Sequence, residues 1–155
     1  MRKQIACLAT IIVIFSCNTP NRENSGAAVL PIEGTWKLLS GTLIEKGDTT
    51  ITDYTQKKSF IKIINPTHFS FLSHDLDKGK DSATASFVAG GGKYTLKDSS
   101  YTEHLEYCND RQWEGNDFSF TVTIKNDTLT QTGVEKVESA GINRLNIEKY
   151  VRLKN

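Results

Sequence analysis

Phe118-Ser119-Phe120-Thr121-Val122-Thr123-Ile124-Lys125 decides the fold. Apolar and polar residues alternate strictly along it, so a period of two puts Phe118, Phe120, Val122 and Ile124 on one face. At the helical repeat of about 3.6 residues the same side chains would scatter around the axis. The stretch is therefore a half-buried strand. Asn126-Asp127 follows, a pair suited to a tight turn, and Thr128 to Val134 returns as the second arm of a hairpin.

The same grammar extends outward in both directions. Lys93 to Lys97, Asp98-Ser99 and Ser100 to Tyr107 form a second hairpin, and Lys58 to Ile64, Asn65-Pro66 and Thr67 to Ser73 a third. Thr84 to Ala89 is a further strand, ended by Gly90-Gly91-Gly92 as a turn or corner bend. Gly34 to Ile44 opens the domain and Arg144 to Leu153 closes it, which makes nine strands, give or take one. Cys108 to Asn116 is the single helical candidate, and it is short enough to be a loop or one turn. Short strands separated by turn signals at close spacing predict an all-β fold, an antiparallel up-and-down barrel of eight to ten strands with at most one short helix. Closing the sheet also removes exposed edges.

Residues 1–16 read differently. Arg2 and Lys3 give a positive start, and Ile5 to Phe15 is an 11-residue run broken only by Thr10. A spanning helix needs about 20 apolar residues, so the run fits the apolar part of an export signal instead. It ends in Ile14-Phe15-Ser16-Cys17, which resembles the lipobox of bacterial lipoproteins. The resemblance implies cleavage after Ser16, a diacylglyceryl thioether on Cys17 and acyl chains of the palmitate class. It also implies an exported protein held on a bacterial membrane, facing the periplasm. Residues 17–31 are then a polar tether, and residues 32–155 the barrel domain.

Charge and cysteine content narrow the function. The full chain carries a net +1; without residues 1–16, 17 bases face 18 acids. Such a balance offers nucleic acid no basic surface, and nucleic acid is not an expected partner. Of three cysteines, Cys7 leaves with the signal and Cys17 carries lipid. Cys108 remains alone, so the mature chain has no intramolecular disulfide, and a buried, inert thiol is expected.

Gly34-Thr35-Trp36 at the first strand and Tyr150-Val151-Arg152 at the last resemble the Gly-x-Trp and closing arginine of lipocalins and related calycins. The chain is similar, over Ile32 to Leu153, to the small lipocalin-like lipoproteins of Gram-negative bacteria. Lys93-Tyr94-Thr95-Leu96 through Tyr101 to Tyr107 shares in that similarity. The resemblance implies that Gly34, Trp36 and Arg152 are structural, with the guanidinium stacked on the indole to seal one barrel end. It also implies a small, mostly apolar ligand.

Candidate lining residues follow from strand parity. Tyr101, Glu103, Leu105 and Tyr107 share the more apolar face of their strand, and Tyr94 joins them from its partner. Glu103 among aromatics is either a ligand anchor or a carboxylate satisfied by water, Tyr or Arg. His68 faces away from Phe69 and Phe71 and is a polar lining candidate; Trp113 caps the mouth or packs. His104 and Glu106 have metal-compatible spacing, but no spacing ties a third ligand to them, so no metal site and no cofactor is expected. The triglycine lacks the Lys-Ser/Thr that a phosphate loop requires. Three functions remain. The first is a membrane-anchored binding protein for a small apolar molecule. The second is an accessory lipoprotein with a packed barrel, working through its surface on protein partners yet unknown. The third is a barrel enzyme using Glu103 or His104 as acid or base, for which no catalytic pair is visible.

Overall fold

A computed structural model describes residues 30–154. The expected export signal, the expected lipid site Cys17 and the expected tether as far as residue 29 lie outside the described residues.

Nine strands make one antiparallel sheet: β1 (Gly34–Glu45), β2 (Asp48–Asp53), β3 (Lys58–Ile64), β4 (His68–Asp75), β5 (Phe87–Lys97), β6 (Ser100–Cys108), β7 (Asp117–Lys125), β8 (Thr128–Val137) and β9 (Ile142–Arg152). From β3 to β9 each strand pairs with the next. β9 also pairs with β1, from Trp36↔Arg152 to Ile44↔Leu145, and this closes the barrel. The wall has eight strands, β1 and β3 to β9, in up-and-down order. β1 shares its other edge, giving Gly34 to Lys37 to β3 and Ser40 to Glu45 to β2.

The strand β2 has no counterpart in the sequence reading. Asp48-Thr-Thr-Ile-Thr-Asp53 shows no apolar alternation, because nearly all of it is exposed and the hairpin with β1 holds it. Its turn, Lys46-Gly47, takes φ values of 53° and 92°, a left-handed pair suited to a two-residue hairpin.

Gly90-Gly91-Gly92 corrects the expectation of a strand end. The glycines lie inside one continuous strand, β5, and Thr84 to Ser86 belong to the preceding loop. A Cβ on Gly90 would sit 2.5 Å from the Phe71 ring, and one on Gly91 2.5 Å from the Phe69 carbonyl oxygen. These glycines let neighbouring strands and rings approach closely, which is the second meaning of glycine in a sheet. A bulge between Gly91 and Gly92 faces Leu105 and Tyr107. Cys108 to Asn116 holds only a single 3₁₀ turn, Arg111–Trp113.

One end of the barrel is packed shut. Trp36, Tyr101, Val122, Leu129 and Tyr150 are completely buried, and Ile32 folds in beneath them. The Trp36 indole N–H donates to the Ile32 carbonyl at 2.8 Å. Arg152 lies over the Trp36 ring, 4.0 Å from its centroid, and donates to the carbonyls of Glu33 and Pro31. Gly34 explains its own place: its φ is 136°, and a Cβ there would strike the Arg152 guanidinium at 2.6 Å.

Candidate functional site

The other end is hollow. A cavity of about 360 Å³ opens there. Its walls come from the same end of every strand: Leu43 late in β1, Phe60 early in β3, Phe71 in β4, Val88 in β5, Cys108 in β6, Phe118 in β7, Glu135 in β8 and Arg144 in β9.

A polar layer separates hollow from core. Lys62, on the inward face of β3, reaches across the interior and its ammonium donates to Glu103 Oε1 at 2.7 Å and Gln131 Oε1 at 3.1 Å. Glu148 Oε2 lies 4.0 Å from the same nitrogen and accepts the Tyr150 hydroxyl at 2.8 Å. The ammonium also sits 5.3 Å from the centre of the Tyr150 ring and 5.9 Å from that of Phe69. Lys62 and Glu103 are only 3% and 8% exposed at their side chains. Charges that deep persist only when paired, and the pairing here is mutual.

The electrostatics of the layer follow from burial and proximity. Burial disfavours the Lys62 charge, but Glu103 and then Glu148 outweigh it and hold the ammonium above the ordinary lysine range. Burial pushes the Glu148 carboxyl up, against the opposing pull of Lys62 and the Tyr150 hydroxyl. Tyr101 lies beneath the layer, its phenol raised by burial and then by the Glu103 charge. Its hydroxyl is the buried side-chain oxygen without a hydrogen-bond partner among the described residues.

Above the layer the walls are aromatic. Phe60 stacks on Phe71 with centroids 5.8 Å apart, and Tyr54 meets Phe60 edge-on at 5.9 Å. Trp113 tilts against Phe118 at 5.7 Å and carries Arg144 over its face at 5.2 Å. Arg144 in turn donates to Glu135 Oε2 at 2.7 Å, and Asn146 donates to Glu135 Oε1 at 2.7 Å. The mouth loop is fixed from both sides. Glu114 Oε1 accepts the Cys108 backbone N–H at 2.8 Å, and Asn109 exchanges hydrogen bonds with Ala89 N–H and the Phe87 carbonyl. Cys108 is buried, with its thiol pushed up by that burial.

The sequence-derived candidates divide. Glu103 and Trp113 line the cavity. Tyr101 is in the core below it, its ring 5.2 Å from that of Tyr94. Tyr94 belongs to the sealed end, where its hydroxyl donates to the Asn65 carbonyl at 2.9 Å. His68 sits at the same end on the outer row, with Nδ1 2.7 Å from the Thr67 hydroxyl. Tyr107 is outside and 68% exposed: the bulge at Glu106 shifts parity, so Cys108 turns in where Tyr107 was expected. His104 faces outward and pairs with Asp117 at 2.8 Å.

Lys62, Gln131, Arg144, Glu135, Glu148 and the aromatics Tyr54, Phe60 and Phe71 were not singled out from the sequence. One signal for some of them existed. If Arg152 caps the interior, Tyr150, Glu148, Asn146 and Arg144 share its parity and face inward too. Lys62 had no such signal, since Phe60-Ile61-Lys62-Ile63-Ile64 is apolar on both faces.

What this arrangement can do is hold. A polar floor can orient a ligand's polar group while aromatic walls cover its body. Among known proteins, no family model matches the chain and no curated sequence matches it.

Proposed function

We propose that this chain is a lipocalin-like binding protein, tethered to a bacterial membrane through Cys17, whose open half holds a small and mostly apolar molecule. The observation that carries the proposal is the division of the barrel. One half is packed solid and sealed by the Arg152–Trp36 stack, while the other keeps a cavity of about 360 Å³ with a polar floor and aromatic walls. Pockets for small ligands run from roughly 300 to 1,000 Å³ and are mainly apolar with a few convergent polar groups. Leu30 and Pro31, the last residues of the expected tether, lie at the sealed end, opposite the mouth. The role is binding rather than catalysis: Glu103 is held by Lys62, and His104 points away from the cavity.

Residues 21–155 contain every described strand and core residue, and they are the form to test. Native mass spectrometry is expected to show a discrete added mass that organic extraction removes. A bare mass, with no uptake of the apolar dye N-phenyl-1-naphthylamine, would overturn ligand binding. It would turn attention to the outer face, where Leu72, Phe87 and Tyr107 are exposed and suit an interaction surface. The membrane address has its own test. Cys17→Ser is expected to abolish labelling by a fatty-acid probe, and persistent labelling would refute the anchor.

A further inference from the structure

The cavity's charges are lopsided. Two cations, Lys62 and Arg144, line it against four carboxylates, Glu103, Asp110, Glu135 and Glu148. Both cations are already engaged. Lys62 is bound to Glu103 and Gln131, and Arg144 reaches Glu135 through Nε and Nη2, each at 2.7 Å, while its flat face covers Trp113. A ligand carboxylate entering the cavity would find no unpaired cation: the N–H groups that Arg144 keeps beyond the two it gives to Glu135 lie beside that carboxylate's charge. The Gln131 amide is a neutral donor, but Gln131 and Glu148 are cross-strand partners, so an anion accepting from it would lie against a like charge.

The acceptor side is the reverse. Glu103 uses Oε1 for Lys62, and Glu148 uses Oε2 for Tyr150. The second oxygen of Glu148 accepts no hydrogen bond among the described residues and is not sealed away from the cavity, whereas the Tyr101 hydroxyl lies against the Glu103 carboxylate. Glu148 keeps 15% of its side chain exposed, against 8% for Glu103, so it is the more accessible of the two. Tyr54, Phe60 and Phe71 line the same cavity, and aromatic faces attract a cation as well as an apolar ring.

Resting on the binding reading above, we propose that the ligand is a protonated amine with an aromatic or short apolar body, its ammonium donating a hydrogen bond to Glu148, and that carboxylates such as fatty acids are excluded. The selection works by supply and demand of hydrogen bonds. An ammonium brings donors to free acceptors and reduces the excess negative charge, whereas a carboxylate brings acceptors where acceptors are already in surplus.

Three indoles of similar shape separate charge from size: tryptamine is cationic at neutral pH, tryptophol neutral and indole-3-acetate anionic. Calorimetry on residues 21–155 is expected to rank tryptamine about tenfold or more tighter than tryptophol, the scale of a charge-assisted hydrogen bond, with indole-3-acetate weakest. Glu148→Gln is expected to narrow the tryptamine–tryptophol gap to roughly threefold or less. Equal or tighter binding of indole-3-acetate would overturn the proposal, and an unchanged gap in Glu148→Gln would overturn the role of Glu148. If none of the three binds but N-phenyl-1-naphthylamine is taken up, the amine inference fails and the cavity reading stands. If the dye is also refused, both fail. Should Glu148→Gln not fold, the ranking in the unaltered chain decides between amine and carboxylate by itself.

Discussion

The two tryptophans of this barrel live at opposite ends under opposite rules. Trp36 is fully buried, its N–H bound to Ile32 and its face covered by Arg152. Trp113 is half-buried at the mouth, leaning on Phe118 with Arg144 above it. Each therefore has an arginine stacked on its indole. At the sealed end the arginine donates to backbone carbonyls of the segment that plugs the barrel, and the result is a lid that belongs to the fold. At the open end the arginine is tied to a carboxylate on the neighbouring strand, and the indole borders empty volume. The same pair of side chains thus closes one end and furnishes the other. What differs is whether backbone crosses the opening.

The contrast can be broken most severely at Trp36. Trp36→Ala is expected to cost about 3 to 5 kcal/mol in denaturant unfolding, through a cavity in packing that cannot collapse against Arg152. A loss below about 1 kcal/mol would mean the sealed end is not the stable half. Lys62→Met attacks the boundary between halves. It leaves Glu103 buried without its cation, and a loss of about 3 kcal/mol is expected, much of it recovered in the double variant with Glu103→Leu. If the double variant is no better than the single one, the pair is not what holds the layer. Trp113→Ala should cost only about 1 kcal/mol, because the indole is half in solvent, while dye uptake falls. Equal losses at the two tryptophans would erase the distinction between ends.

The polar layer makes a pH prediction. The Glu148 carboxyl is raised in the folded chain, so the native state holds its proton more tightly than the unfolded one does. The stability this contributes is full below the ordinary carboxyl value of 4.5 and is lost as pH rises through the raised folded value. Unfolding at pH 5 and pH 8 should therefore show the unaltered chain losing stability with rising pH relative to Glu148→Gln. A constant difference between the two would contradict the raised carboxyl. Tyr101→Phe is the smallest change: it removes a buried hydroxyl that lies against the Glu103 carboxylate without a well-aligned hydrogen bond, and stability should change by less than about 1 kcal/mol. A clear loss would reveal a hydrogen bond to that hydroxyl.

The class of fold, most of the strands and one end of the barrel are legible in the order of residues alone. Alternation in Phe118 to Lys125 is a local property, since successive side chains point to opposite faces whatever lies beyond. Asn126-Asp127 and Asp98-Ser99 mark turns for an equally local reason: Asn126, Asp127 and Asp98 adopt positive φ there. The Gly-x-Trp and closing arginine were legible because the two ends of the chain become adjacent strands, and Trp36 and Arg152 are direct partners. Where polarity ran against location, as in exposed β2, the pattern was silent.

The site itself is a product of long-range packing. Lys62 meets Glu103 across 41 residues and Gln131 across 69, over the interior rather than along a strand pair. Such meetings depend on the register of every intervening strand, and two bulges, at Leu38/Ser40 and Gly91/Gly92, reset that register. A single extra residue, Glu106, turned Tyr107 out and Cys108 in, because a period of two inverts every face beyond an insertion. Strand identity is written in neighbours along the chain; the contents of a barrel are written in the sum of its registers, which no single strand contains.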